Sequence, residues 1–112
     1  MIEQIDATGL KEARNDALAG AVLLDVRESW EFELARIEAS VNVPMSTLSG
    51  RVDEVRALQD AADAPLVLIC HHGSRSMHCA QFLAGQGLGP LINLSGGIDA
   101  WSQRVDSSVP RY

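Results

Sequence analysis

Two cysteines in 112 residues are too few for the disulfide framework that staples small secreted domains. Cys70 and Cys79 are therefore read as reduced thiols in a reducing compartment. Long apolar runs are missing as well. Stretches such as Ala21-Val22-Leu23-Leu24 and Leu66-Val67-Leu68-Ile69 fall far short of the roughly 20 residues that cross a bilayer. The first residues, Met1-Ile2-Glu3-Gln4-Ile5-Asp6, lack the basic stretch leading into an apolar one that marks a secretory signal, so the expected location is cytoplasmic. Positive charge is scarce: nine basic residues face fifteen acidic ones, and the net charge of −6 argues against broad attraction to nucleic acid or an anionic membrane. Repeats, linkers and low-complexity tracts are also lacking.

What remains is an ordinary globular composition, 46% hydrophobic, in a length that suits one domain with one core. Strand and helix patterns alternate. Ile2–Ile5 is a short strand candidate, and residues 8–18 read as a helix capped by Asp6 or Thr8. Val22–Val26 is a clearer strand. Ser29 offers a cap for a short helix over Trp30–Ala35, with Glu31 and Glu33 near its positive end. Val41–Val43 is a third strand, closed by Pro44. Leu48, Val52, Val55 and Leu58 then follow the spacing of one buried helical face. Leu66–Ile69 is continuously apolar, as expected of a central parallel strand covered on both sides. Ser76–Gly85 reads as a helix, Leu91–Leu94 as a last strand, and Gly96-Gly97 as a turn into a helix around Trp101. Residues 105–112 form a tail that either packs on the surface or stays loose. This order implies an α/β layer structure with a mostly parallel sheet of about five strands flanked by helices. Ligands of such sheets bind outside the carboxyl ends of the strands.

The six residues Cys70-His71-His72-Gly73-Ser74-Arg75 stand at that end of the most apolar strand. All three histidines and Arg75 fall within nine residues of Cys70, a cationic patch on an acidic chain that suits a small anion. A loop running from strand to helix can point several backbone N–H groups inward, and the helix adds its own N-terminal donors. Gly73 permits the positive φ that such a curl needs, and Arg75 brings a permanent cation. The chemistry needs the thiolate, of which a free thiol supplies only a few per cent at neutral pH. A helix terminus contributes typically about 0.3–1 kcal/mol, so loop amides and Arg75 are expected to supply the rest. Cys79 shares its spacing with Phe82 and Leu83 and reads as a core thiol. His78 and Gln81 fall on the opposite, solvated face. A metal site is not expected: neither paired Cys-x2-Cys nor His-x3-His spacing occurs, and side chains from strand end, loop and helix would diverge. No cofactor is implied.

Four segments together resemble the single-domain rhodanese family. They are Leu24-Asp25-Val26-Arg27-Glu28 followed by Trp30-Glu31-Phe32; Ala39-Ser40-Val41-Asn42-Val43-Pro44; Cys70 through Ser76; and Leu94-Ser95-Gly96-Gly97-Ile98-Asp99-Ala100-Trp101. The resemblance covers nearly the whole chain and implies one rhodanese-like domain over residues 1–112. It also implies a ping-pong sulfur transfer. Cys70 takes the outer sulfur of an anionic donor such as thiosulfate and passes it to cyanide in assays, or to a thiol or partner protein in cells. The resemblance further implies that loop amides of His71, His72, Gly73, Ser74 and Arg75 hold the persulfide and that Arg75 orients the donor. Asp25 and Arg27 brace the loop, with a plain surface ion pair as the alternative, and Trp30 and Trp101 are packing residues. The family's Gly-His-Ile-x-Gly-Ala stretch reads Ala35-Arg36-Ile37-Glu38-Ala39-Ser40 here, which puts that loop's shape in question. Two rivals stay open. A phosphatase or arsenate reductase uses a Cys-x5-Arg loop, one residue longer than this Cys-x4-Arg. A non-catalytic binding module would use the fold without the chemistry.

Overall fold

The computed structural model describes residues 2–112. Five strands, β1 (Glu3–Ile5), β2 (Val22–Asp25), β3 (Val41–Asn42), β4 (Leu66–Ile69) and β5 (Leu91–Leu94), form one sheet in the order β1-β5-β4-β2-β3. Every pairing is parallel, so the expected sheet is found. Six helices cover it: α1 (Ala7–Ala13), α2 (Ser29–Leu34), α3 (Met45–Leu48), α4 (Val52–Ala62), α5 (Ser74–Gly85) and α6 (Gly97–Arg104). Among the described residues, no helix is long and apolar enough to cross a membrane.

Strand β4 shows why a continuous apolar run marks the centre of such a sheet. Successive side chains point to opposite faces, and both faces are covered. Leu66 and Leu68 join Leu24, Leu48, Val55, Cys79 and Leu83 in one core layer. Val67 and Ile69 join Leu10, Leu23, Ile92, Ile98 and Trp101 in the other. A leucine fully buried in this way contributes about 1.5–3 kcal/mol.

Several boundaries differ from the sequence expectation, each for a local reason. Helix α1 stops at Ala13, not Leu18, because Asn15 and Asp16 favour turns over helix interiors. Its cap is Asp6, whose Oδ1 accepts the Gly9 N–H at 2.7 Å. Helix α2 begins at Ser29 with Glu28 as the cap residue, and the Glu31 carboxylate accepts the Glu28 N–H at 3.1 Å. The turn at Ser49-Gly50 splits the expected continuous face into α3 and α4. Leu48 and Val55 stay buried, but Gln59 rather than Leu58 completes the face. The Gln59 amide is satisfied by the Ala64 and Pro90 carbonyls, each at 3.1 Å. Strands β2 and β3 each end one residue early, although Val26 and Val43 remain fully buried. Residues 105–112 pack on the core, with Val109 buried and Tyr112 half-buried.

The stretch that departs from the family pattern keeps a glycine-like backbone without the glycine. Ala39 lies at φ 70°, where an L side chain is strained by about 1–2 kcal/mol. Ala39→Gly is expected to leave the loop in place and raise stability by up to about 1 kcal/mol, the relieved strain being partly offset by glycine's greater unfolded-state entropy. A denaturant midpoint lowered in that variant would show that the strain at Ala39 is smaller than the entropy cost of glycine.

Candidate active site

The chain turns sharply after β4 because Gly73, at φ 109°, caps a helix that starts at Ser74. The expected six-residue loop is therefore shorter, and Ser74 and Arg75 belong to the first turn of α5. This geometry folds donors back onto the sulfur of Cys70. Gly73 N–H reaches Sγ at 3.0 Å, and the Ser76 hydroxyl lies 3.2 Å from it. Ser76 is fully buried, and its single proton is shared among Sγ, the Gly73 carbonyl at 3.2 Å and Oδ1 of Asn93. The Asn93 amide nitrogen donates to Gln4 at 2.9 Å and to the Gly73 carbonyl at 3.2 Å, which turns its oxygen toward Ser76. Cys70 itself is 1% exposed.

Ser76 and Asn93 were not assigned to the site from sequence. The available signal was an asparagine in the otherwise apolar strand Leu91–Leu94, since a buried polar side chain needs a partner.

The Gly96-Gly97 turn proves to be more than a route into α6. The N–H groups of Ile98 and Asp99 donate to the carbonyls of Cys70 and His71 at 2.9 and 3.1 Å. Gly97 lies so close that a Cβ there would stand 2.5 Å from the His71 carbonyl oxygen. The start of α6 thus clamps the backbone that carries the sulfur.

Arg75 is the residue expected to orient an anionic donor. Its two terminal nitrogens instead grip the Glu31 carboxylate at 2.7 and 2.8 Å. The Tyr112 hydroxyl donates to the same carboxylate at 2.7 Å. These bonds, the Arg75 pair foremost, pull Glu31 down to about 2 against the cost of its burial. The pair with Glu31 likewise holds Arg75 above its ordinary value.

Arg27 and Asp25 are not a surface pair: both are 0% exposed. Arg27 binds both Asp25 oxygens through Nε, at 2.9 and 3.1 Å, and Oδ2 again through Nη2 at 2.6 Å. Its remaining donors reach the Glu31 carbonyl, the Ala35 carbonyl and the Tyr112 hydroxyl. Burial works against its charge, but the Asp25 bonds outweigh it and keep the guanidinium above its usual value. The pair braces α2 and the tail, whose Glu31 and Tyr112 meet Arg75 and His71 beside Cys70.

His71 is half-buried between His72 and Tyr112, its ring stacked on each at centroid distances of 4.0 and 4.1 Å. Burial, with help from His72, pushes its pKa below the ordinary value. His72 is exposed, with Nε2 3.8 Å from Asp99. Donor atoms of the loop residues His71 and His72 and of Asp99 lie within 4.8 Å of one another. Asp99 is already engaged by Arg111 and Gln103. Cys70 and Cys79 lie outside that group.

Other side chains fall partly as expected. His78 is exposed, Cys79 and Leu83 are buried, and burial pushes the Cys79 thiol up to about 11. Phe82, expected beside them, is exposed instead. Trp101 is a core residue, whereas Trp30 is 62% exposed and meets Tyr112 edge-on. Trp30 therefore stands on the surface near the loop, through Tyr112, rather than in the core.

A family model described as the rhodanese-like domain matches residues 6–104. A thiosulfate sulfurtransferase, GlpE of Pseudomonas syringae pv. syringae, is 35% identical over 82 residues, covering 73% of this chain and 73% of its own length. An adenylyltransferase and sulfurtransferase of Zea mays, MOCS3-2, is 36% identical over 93 residues, and the chain spans 19% of it. The chain likewise spans only 20–22% of the length of further relatives of this kind. Among solved structures, a rhodanese-related protein of Thermoplasma volcanium is 31% identical with a TM-score of 0.75, and the match covers 92% of this chain and 93% of that one.

Proposed function

The chain belongs to the rhodanese-like domain family, and from that premise we propose that it is a sulfurtransferase working through a persulfide on Cys70. The observation that supports this most is a sulfur at the carboxyl end of the central strand, held by Gly73 N–H at 3.0 Å and Ser76 at 3.2 Å. Donors aimed at a sulfur favour its anionic form and later the terminal sulfur of a persulfide. In the first step the Cys70 thiolate attacks the outer sulfur of a donor; the Sγ–S bond forms and the donor's S–S bond breaks. Its electron pair leaves on the departing group. In the second step an acceptor takes the outer sulfur and Cys70 leaves as thiolate. Acceptors of the right chemistry are cyanide, a small thiol or a cysteine of a partner protein.

Residues 71–75 surround the sulfur in this reading, and Arg75 acts on it from its place beside Glu31. Asp25 and Arg27 support that arrangement through α2. Residues 1–112 then act as one domain, with 105–112 as a tail whose Tyr112 stacks on His71. Phosphate chemistry is disfavoured because the Arg75 fork is closed on a carboxylate. A docking role alone leaves the donors gathered on the Cys70 sulfur without a purpose.

Incubation with a sulfane-sulfur donor, thiosulfate or an alkyl persulfide, is expected to add one sulfur atom to the intact protein. Cyanide is then expected to release it as thiocyanate. Mass spectrometry of the undigested protein reads both events. If neither donor leaves an adduct, the reading fails.

A further inference from the structure

We propose that the sulfur donor for this site is a persulfide of little net charge, and that thiosulfate is a poor substrate. The inference rests on the Cys70 reading above. Three arginines stand at or near the loop. Arg75 has both terminal nitrogens on Glu31, Arg27 is paired with Asp25, and Arg111 with Asp99. Each of these three charges is cancelled by a carboxylate of the chain itself. The Glu31 carboxylate, 5% exposed, is further fixed by the Tyr112 hydroxyl at 2.7 Å, so Arg75 does not swing away cheaply. Burial, with the neighbouring His72, holds the half-buried His71 toward its neutral form. The chain as a whole carries −6.

Thiosulfate brings two negative charges to a thiolate, and the step must expel sulfite, itself a dianion. With Cys70 1% exposed, water does little to spread three charges there. A persulfide R–S–S–H asks less of the site. The Cys70 thiolate attacks its outer sulfur, the Sγ–S bond forms, and R–S⁻ leaves with the electron pair. The proton stays with the transferred sulfur. One negative charge is present throughout, which Gly73 N–H and Ser76 are placed to hold. No oxidant or reductant is needed.

The test compares persulfide formation on Cys70 from thiosulfate and from cysteamine persulfide, which reacts through its protonated R–S–S–H form and carries no net negative charge. Each rate is divided by that of a simple thiol in solution. Ionic strength is raised from about 0.01 to about 0.3 M, which collapses any attraction to a free exposed cation. For wild type, cysteamine persulfide is expected to be favoured and kcat/KM for thiosulfate to hold steady or rise with salt. Glu31→Gln removes the clamp on Arg75. It is expected to raise thiosulfate use relative to the persulfide about tenfold, the scale of a dianion facing a released cation through water, and to make that rate fall with salt.

A wild-type thiosulfate rate that falls several-fold with salt would overturn the proposal. So would an unchanged donor ratio in a Glu31→Gln protein with a normal unfolding midpoint. If that variant does not fold, the wild-type salt dependence decides. Absence of adduct from both donors would instead overturn the assignment of Cys70 as the sulfur carrier.

Discussion

Cys70→Ser is expected to reduce sulfur transfer to the uncatalysed background, a loss of at least about a thousandfold, while the protein stays folded. The hydroxyl of serine can accept the same N–H of Gly73 and hydroxyl of Ser76 that now meet the sulfur. It is not an effective nucleophile toward sulfur and forms no persulfide. Stability and chemistry should therefore separate cleanly: thiocyanate formation vanishes, and the thermal midpoint moves by only a few degrees. Cys79→Ala is the matched control. Cys79 is buried and held up at about 11, so at neutral pH only roughly one molecule in ten thousand carries its thiolate. That variant is expected to lose some stability through the small cavity, yet to keep its rate per folded molecule within about twofold. An equally large loss of rate in Cys79→Ala would mean that sulfur passes through both thiols.

Asp25→Ala is expected to cost about 3–5 kcal/mol, the usual consequence of leaving a buried charge without its partner. Arg27 is 0% exposed, and Asp25 supplies the carboxylate on which its guanidinium rests. The other acceptors, carbonyls of Glu31 and Ala35 and the Tyr112 hydroxyl, carry no full charge to replace it. For a domain of this size, such a loss lowers the thermal midpoint by at least about 12 °C. It also consumes a large share of a total stability of about 5–15 kcal/mol. Asp25→Asn keeps an acceptor but no charge and should fall between the two proteins. Activity should drop with α2, because the Glu31 that fixes Arg75 sits on that helix. Urea unfolding of the two variants decides the matter, and a cost below about 1 kcal/mol for Asp25→Ala would show that the buried pair is relaxed by water.

Much of the fold was legible from short-range pattern. Apolar runs of four residues at Leu66–Ile69 and Leu91–Leu94 became the strands β4 and β5, because a strand covered on both faces has no polar position to spare. The position of Cys70 at the end of β4, the burial of Cys79 and the exposure of His78 followed from the same local periodicities. Helix ends were less legible. The start of α5 at Ser74 depends on one positive φ at Gly73, and the break before α4 on one turn at Gly50.

The alternation of strands and helices, the all-apolar centre of the sheet and the thiol at its carboxyl edge are legible from the order of residues alone. Each of these is a property of neighbours in the chain, set by side-chain period and turn chemistry. What surrounds that thiol is set by contacts between distant parts of the chain. Arg75 meets a carboxylate 44 residues away, Arg27 meets a hydroxyl 85 residues away, and the backbone of Cys70 is clamped by the start of α6. Those meetings arise because the order β1-β5-β4-β2-β3 places β2 and β5 on either side of β4, so that α2 and α6 reach the same loop. Charge is the clearest instance. Counted along the sequence, Arg75 and three nearby histidines made a cationic patch, but in the fold Glu31 cancels the arginine, because the sum of charges at a site is fixed by distance in space.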